Sequence, residues 1–237
     1  MRIVVFGANG HTGRLLISQT LEGGHDAVAV TRRPEGFPPA GPRLTVVGAD
    51  VLDAPTLGAT LDGADAVVST LGVPMRMSRI DTYSTGAGNI IDTMRRAAVS
   101  RLVVVSSTAV TDYPGRTGAP PALRFIEPVL KSTLGRSTYA DQRRMEAIIS
   151  ASGLDWTIVR PSGLFDLPHV TDYVAGQVDP VGAFTSRADL AHYLLSLAQQ
   201  QGPQAAVTIS TVTDTPTLWE MVRREALAQP KNAAASS

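Results

Sequence analysis

Residues 7–13, Gly7-Ala8-Asn9-Gly10-His11-Thr12-Gly13, carry the clearest chemical signal in the chain. Three glycines spaced G-x-x-G-x-x-G let a backbone turn tightly, approach a ligand closely and leave its N–H groups pointing outward. A phosphate or pyrophosphate seat needs this, provided that a strand precedes the turn and a helix follows it. Both conditions are met. Residues 2–6 read R-I-V-V-F, the short apolar run of a buried parallel strand, and residues 14–21 read as a helix turning Leu15, Leu16 and Leu21 inward. The stretch therefore suits the pyrophosphate of a dinucleotide better than it suits a purely structural turn.

Further candidate residues recur wherever an apolar run ends. The second strand, residues 26–31, ends in Thr31-Arg32-Arg33-Pro34. In dinucleotide folds this position meets the adenosine ribose, where a carboxylate selects NAD and an arginine accommodates the 2′-phosphate of NADP. Arg32 and Arg33 thus favour NADP(H) over NAD(H), the alternative being a solvated basic turn. A third strand, residues 44–47, runs into Gly48-Ala49-Asp50-Val51-Leu52-Asp53. Asp50 could bond an adenine amino group with Val51 beside the ring, and Asp53 could cap a helix over 55–61. The fourth strand, 65–69, ends in Thr70-Leu71-Gly72, where a glycine again permits close approach. The fifth, 101–105, runs into Ser106-Ser107-Thr108-Ala109, and the sixth, 156–159, into Arg160-Pro161-Ser162-Gly163.

The elements that must position these clusters alternate strand with helix. Helices are expected over 83–98, with Ile90, Ile91 and Met94 inward, and over 139–152, with Met145, Ile148 and Ile149 inward and Gly153 ending it. Another spans 185–198, opening Ser186-Arg187-Ala188-Asp189, where Asp189 reads as a cap or dipole partner. A short strand at 207–210, a closing helix at 218–227 and a flexible tail at 228–237 complete the chain. Residues 35–42, 73–80, 110–128 and 163–184 read as loops, the prolines and glycines of 112–128 suggesting a lid. The fold class is α/β: a doubly wound parallel sheet in a three-layer α/β/α sandwich, with a small substrate-side region toward the C-terminus. One domain over 1–227 accounts for it. All six clusters fall at strand carboxyl ends, where such sheets bind ligands.

Composition excludes several classes. Among 237 residues, 43% are hydrophobic and 18% charged, with net charge zero and pI near 6.9, so neither nucleic acid nor a membrane surface is an expected partner. There are no cysteines, which removes thiolate chemistry and disulfides. A strand starting at residue 2 leaves no room for a signal peptide, and no apolar run would span a bilayer, so a cytoplasmic location is expected. His11, His25, His169 and His192 lack metal-ligand spacing, so no metal is expected. In His11 the backbone matters more than the ring; His169 reads as exposed, or as lining a pocket, and the other two as structural. No G-x-S-x-G elbow accompanies Ser106-Ser107. The arginine pairs at 95–96, 143–144 and 223–224 read as solvated helix faces.

Taken together, these residues resemble the atypical short-chain dehydrogenases, in particular the NmrA-like and biliverdin reductase B/flavin reductase-like NAD(P)-binding proteins with Rossmann-type folds. The glycine stretch, Arg32, Gly48-Ala49-Asp50-Val51, Ser106-Ser107-Thr108-Ala109, Gly153-Leu154-Asp155-Trp156-Thr157 with Arg160-Pro161, and Ser186-Arg187-Ala188-Asp189-Leu190-Ala191 carry the likeness, over residues 1–210. It implies that Gly7, Asn9, Gly10, His11 and Thr12 hold the pyrophosphate, Arg32 the 2′-phosphate, and Asp50 and Val51 the adenine. Ser106 and Ser107 would run beside the nicotinamide ribose, and Pro161-Ser162 beside its ring. Thr108 falls where related enzymes place a serine or threonine near the substrate, which makes Thr108 and Ser107 the candidate catalytic side chains.

One departure bears on mechanism. Many members use Tyr-x-x-x-Lys, the lysine lowering the phenol's pKa so that it can donate a proton. The only lysines here, Lys131 and Lys231, do not stand four residues after a tyrosine; Tyr139 is followed at that spacing by Arg143, which cannot play every part a lysine plays. Registered on Met145-Glu146 instead, the pair falls on Thr138 and Gln142, and Tyr139 is a packing or rim residue. The expectation is an NADPH-dependent reductase of a flavin, quinone or similar planar acceptor, monomeric or homodimeric. A non-catalytic NADP(H)-binding redox sensor of NmrA type is the alternative, and a sugar-nucleotide or steroid-type enzyme a third reading.

Overall fold

The computed structural model describes residues 1–38, 41–74, 78–122, 135–202, 204–217 and 219–220. In chain order the elements are β1 (Arg2–Phe6), α1 (His11–Glu22), β2 (Asp26–Thr31), β3 (Leu44–Gly48), β4 (Ala66–Ser69) and α2 (Thr82–Arg96). There follow β5 (Arg101–Val105), α3 (Arg136–Ser150), β6 (Asp155–Pro161), β7 (Gly163–Phe165), β8 (Tyr173–Gly176), β9 (Phe184–Ser186), α4 (Arg187–Ala198) and β10 (Ala205–Thr211).

Eight strands form one sheet in the order β3-β2-β1-β4-β5-β6-β10-β8. The chain winds outward from β1 in one direction and from β4 in the other, so the order reverses between those two strands and a crevice opens above their carboxyl ends. The central strands are apolar throughout because both faces are covered. Val4 and Phe6 of β1 face α2 and α3, packing with Ile90, Met94 and Ile149. Ile3 and Val5, on the opposite face, pack with Leu16 of α1 and with Leu190 and Leu194 of α4. Three layers result.

Two buried charges tie elements together, one joining the two helices of a single face and the other joining the sheet to α4. Asp141, within α3 and fully buried, accepts from the backbone N–H of Tyr83 at 2.8 Å, the Ser84 hydroxyl at 2.5 Å and Arg144 at 2.9 Å. Asp81, at the start of α2, makes no side-chain cap, so a carboxylate from the neighbouring helix holds the exposed N–H groups instead. Arg101 of β5 donates to the Leu197 carbonyl at 2.8 and 3.0 Å and to Thr157 at 3.1 Å, closing the last turn of α4. Burial pushes the pKa of this guanidinium down, against the pull of nearby Asp155.

The sheet differs from the expected all-parallel arrangement at its edge, where β8 runs antiparallel to β10. Residues 163–184, expected as loop, contain β7 and β8, and β9 takes Thr185 and Ser186, so α4 begins at Arg187. These strands of three or four residues are too short to show a period in the sequence. β7 pairs with β9 as a separate two-stranded ribbon. The segment Ala54–Leu61 is a 3-10 rather than an α-helix, and Ile148 turns to solvent at 39% exposure while Met145 and Ile149 are buried. Apart from Trp219 and Glu220, the expected closing helix and tail lie outside the described residues. Among the described residues no helix is long and apolar enough to cross a membrane.

Because Asp141 serves four donors, the Ser84 N–H at 3.4 Å being the fourth, Asp141→Ala is expected to cost roughly 2–3 kcal/mol of stability. It should appear as a lower urea midpoint with an unchanged m-value; an unaltered midpoint would refute the capping role.

Candidate cofactor and substrate cleft

A cleft of about 1040 Å³ runs along the carboxyl ends of the central strands and brings all six sequence clusters together. Its floor is the glycine turn. Gly7 adopts a left-handed φ of +78°, and a Cβ there would stand 2.9 Å from the Thr70 carbonyl. A Cβ on Gly13 would lie 2.4 Å from the Gly7 oxygen. Only glycines allow this crossing. The Thr70 hydroxyl donates to the Phe6 carbonyl at 3.1 Å, so Thr70, expected as a cofactor contact, fastens the turn to β4. Gly10 precedes α1 with no side-chain cap, and the first residue to bond back is Arg14, to the Gly10 carbonyl at 2.9 Å. The N–H groups of His11, Thr12 and Gly13 therefore start the helix without helical acceptors. Together with the positive end of the helix dipole they form an anion seat. The side chain of Asn9 is occupied otherwise, its Oδ1 accepting from the Arg14 guanidinium at 3.1 Å.

At one end of the cleft Arg32 and Arg33 are exposed, and neither pairs with a carboxylate among the described residues. Across from them the Asp50 carboxylate accepts from the Leu52 N–H at 3.0 Å, and Val51 is held by Asn89, whose amide donates to its carbonyl at 2.8 Å. Asp53 does not cap the following turn with its side chain. Pro55 has no N–H to offer, and the N–H of Thr56 already bonds the Asp53 carbonyl at 3.0 Å. Gly72 lines the cleft with open space where its Cβ would point.

The other end is built from β5, β6 and α3. Ser106 and Ser162 are buried, anchored through their N–H groups to the Val159 carbonyl at 2.8 Å and the Thr185 hydroxyl at 3.0 Å. The Ser107 oxygen accepts from the Ala109 N–H at 3.1 Å and caps the short turn Thr108–Val110, which places Thr108, buried, in the cleft wall that Pro161 also lines. The sequence leaves two registers open for α3: both members of the pair Thr138 and Gln142 line the cleft, whereas Tyr139, half-buried, lines it without Arg143. Arg143 turns away and donates to the Val110 carbonyl at 2.8 Å. Arg143 and Arg144 are both exposed, as expected of a solvated face, and each also spends a donor on a neighbouring segment, Arg144 on the Ile80 carbonyl at 3.0 Å.

Six buried side-chain polar atoms among the described residues lack a hydrogen-bond partner, and four of them line this end: Ser106 Oγ, Thr138 Oγ1, Gln142 Oε1 and Ser162 Oγ. An unsatisfied buried polar group costs about 1–3 kcal/mol. Their convergence on one wall marks a surface completed by a polar ligand, and together with the glycine seat it fits a dinucleotide with a second molecule beside it.

Behind that wall, Arg160 of β6 holds Glu146 of α3 with two bonds at 2.5 and 2.9 Å and reaches the Tyr113 hydroxyl at 3.3 Å. The bond to Glu146 pushes the pKa of this guanidinium further up. Loop residues supply the outer wall. Thr117 bridges to Val181, Arg116 donates to the Gly182 carbonyl at 2.9 Å, and Leu164 and Phe184 add apolar surface. These lining residues escaped the sequence reading because they lie in stretches without periodicity.

The remaining candidates fall elsewhere. His169 is exposed, His25 bonds Gln199 at 2.6 Å, and His192 bonds the Tyr173 hydroxyl at 2.7 Å, while His11 lines the cleft. Ser186 caps α4, and fully buried Asp189 accepts from Thr171 at 2.6 and 2.9 Å and from Thr211 at 2.5 Å. Among the described residues no cluster of metal-ligating side chains occurs.

Comparison with known proteins agrees with this geometry. The model of the NAD(P)H-binding family matches residues 7–201. An uncharacterised chloroplastic protein of Arabidopsis thaliana is 30% identical over 177 residues, 70% of this chain and 60% of its own length. An uncharacterised sugar epimerase of Bacillus subtilis, YhfK, is 27% identical over 226 residues, 91% of this chain and 96% of its own. The chain spans between 15% and 60% of the length of the first curated relatives it matches. Among solved structures, ChuY from Escherichia coli O157:H7, described as an anaerobilin reductase, superposes with a TM-score of 0.69 at 22% identity, covering 92% of this chain and 100% of its own.

The two kinds of glycine separate in a test. Gly13→Ala, which drives a methyl into the Gly7 carbonyl, should weaken NAD(P)H binding at least tenfold by calorimetry. Gly88→Ala, where a Cβ meets nothing within 4 Å, should leave binding unchanged and raise stability by about 0.5–1 kcal/mol.

Proposed function

The chain belongs to the NAD(P)H-binding family, and from that premise we propose that it is an NADPH-dependent reductase of a flavin, quinone or similar planar acceptor. The observation that carries this reading is a cleft with a full dinucleotide seat whose reactive end is lined by Thr138, Tyr139 and Gln142, in a sequence that has no Tyr-x-x-x-Lys pair. When bound, NADPH supplies a hydride. The amides of His11, Thr12 and Gly13 hold its pyrophosphate, and Arg32 with Arg33 holds the 2′-phosphate. Val51 and Asp50 frame the adenine. Ser106 and Ser162 supply the nicotinamide end with hydrogen bonds, and Thr108 and Ser107 border the acceptor.

The acceptor class follows from charge. Hydride delivered to a ketone leaves a localised alkoxide that needs a positioned acid in the transition state. Hydride delivered to a conjugated ring spreads the charge, so water can supply the proton and the protein's task is to hold two rings together. The description of ChuY as a reductase is in keeping with this. A sugar epimerase, as YhfK is described, fits less well, because alcohol–ketone interconversion calls for an activated acid, and no lysine stands four residues after Tyr139 to lower its pKa. The same neutral pair favours one second reading, a redox sensor that binds NADP(H) without turning it over.

Titration with NADPH and NADH, then NADPH oxidation with FMN and menadione, tests the proposal. NADPH should bind at least tenfold more tightly than NADH. Arg32→Ala should lower NADPH affinity about 10- to 100-fold, the loss of a charge-assisted phosphate contact, and leave NADH affinity nearly unchanged. Equal affinities would overturn the phosphate assignment, and tight binding without oxidation of NADPH would move the sensor reading ahead.

A further inference from the structure

We propose that Thr138 and Gln142 recognise an amide-like edge on the acceptor, the adjacent N–H and C=O of a lactam or imide, so that the preferred substrate is a planar heterocycle carrying that edge and not a bare quinone. The inference rests on the reductase reading and narrows its acceptor class.

Three observations carry it. Thr138 and Gln142 are 4% and 6% exposed, both line the cleft, and Thr138 Oγ1 and Gln142 Oε1 are unpaired among the described residues. Spaced four apart in α3, they present one continuous face to the cleft. The surrounding helix is fastened on every side. Asp141 bonds the start of α2, Arg143 the Val110 carbonyl, Arg144 the Ile80 carbonyl and Glu146 the Arg160 guanidinium. Around Gln142 these neighbours spend polar atoms on the fold, and α3 is thereby held as a rigid support for the Thr138 hydroxyl and the Gln142 carboxamide oxygen, which do not.

The chemistry of the pair then selects the ligand. A hydroxyl both donates and accepts, and a carboxamide carries one acceptor and two donors, so the pair matches an edge that alternates N–H with C=O. A quinone offers acceptors alone and leaves the enclosed Gln142 oxygen unsatisfied. A site built around a buried acceptor discriminates against the ligand lacking the matching donor. Neither side chain ionises near neutral pH, so recognition carries no charge into the cleft.

The test is binding of lumiflavin and N3-methyl-lumiflavin, in which a methyl replaces the imide hydrogen, to the NADP⁺-loaded full chain, followed by flavin fluorescence. Lumiflavin should bind at least tenfold more tightly than its N-methyl analogue. Gln142→Leu should erase that difference, and Thr138→Val should reduce it while Thr138→Ser restores it. NADP⁺ affinity should change by less than twofold in each variant. A wild-type protein indifferent to N-methylation overturns the proposal, as does a Gln142→Leu protein that loses NADP⁺ affinity along with lumiflavin, since the pair would then serve the cofactor. Should a variant fail to fold, the two ligands on the wild-type protein decide alone. Failure to bind either flavin also overturns the proposal, and NADPH oxidation with menadione in parallel shows separately whether the reductase reading survives.

Discussion

The close passage of the glycine turn over the end of β4 is the constraint on which the rest of the cleft depends. At Gly7 the chain must leave β1, turn with a positive φ, and clear the Thr70 carbonyl with no room for a Cβ. The turn is then pinned from both sides, by the Ala8 N–H on the Val30 carbonyl at 3.3 Å and by Thr70 on the Phe6 carbonyl. Gly13 lets α1 settle against the Gly7 oxygen. With these contacts in place α1 can point only one way, and its free N–H groups face the crevice where the strand order reverses. A larger residue at either glycine would move the helix start, and with it the anion seat.

The far end of the cleft rests on a different kind of interaction. There α3 is positioned by charges shared between elements: Asp141 with α2, and Glu146 with Arg160 of β6. Both carboxylates are buried and hydrogen-bonded, the condition under which a buried charge is tolerated. Removing either partner would leave a charge stranded in the interior, so the registration of α3 against the sheet is strongly enforced. That rigidity lets two neutral side chains stay unpaired beside it without collapsing onto the backbone.

Most of the fold was legible in the sequence because it is written in local terms. A buried parallel strand is a continuous apolar run, an amphipathic helix has its own period, and the glycine turn declares itself by spacing. β1, β2 and β5 fall on the expected residues for this reason, and the expected clusters do converge on one cleft. What escaped depends on partners far away in the chain. The strands β7, β8 and β9 exist only through pairing with each other or with β10. Asp141 gives no local sign that it caps another helix. Thr70, Asn9 and Ser107 were rightly placed at the cleft, but their side chains hold the loops that shape it.

The two halves of the cleft therefore carry different kinds of information. The dinucleotide half is made largely of backbone, glycines and helix amides, and any chain that reproduces the turn reproduces the seat. On the proposed reading the acceptor half is made of side chains, Thr138, Gln142 and Thr108, on a framework that would tolerate other residues at the same positions. Cofactor binding is accordingly a property of the fold, whereas on the proposed reading acceptor choice falls to a few residues on α3 and the strand ends. Replacing a phenol and an ammonium by a hydroxyl and a carboxamide removes the acid and keeps the hydrogen bonds. Under the proposed reductase reading, a cleft with that pair leaves protonation to water and keeps the means to orient a ring, which favours acceptors that stabilise their own charge.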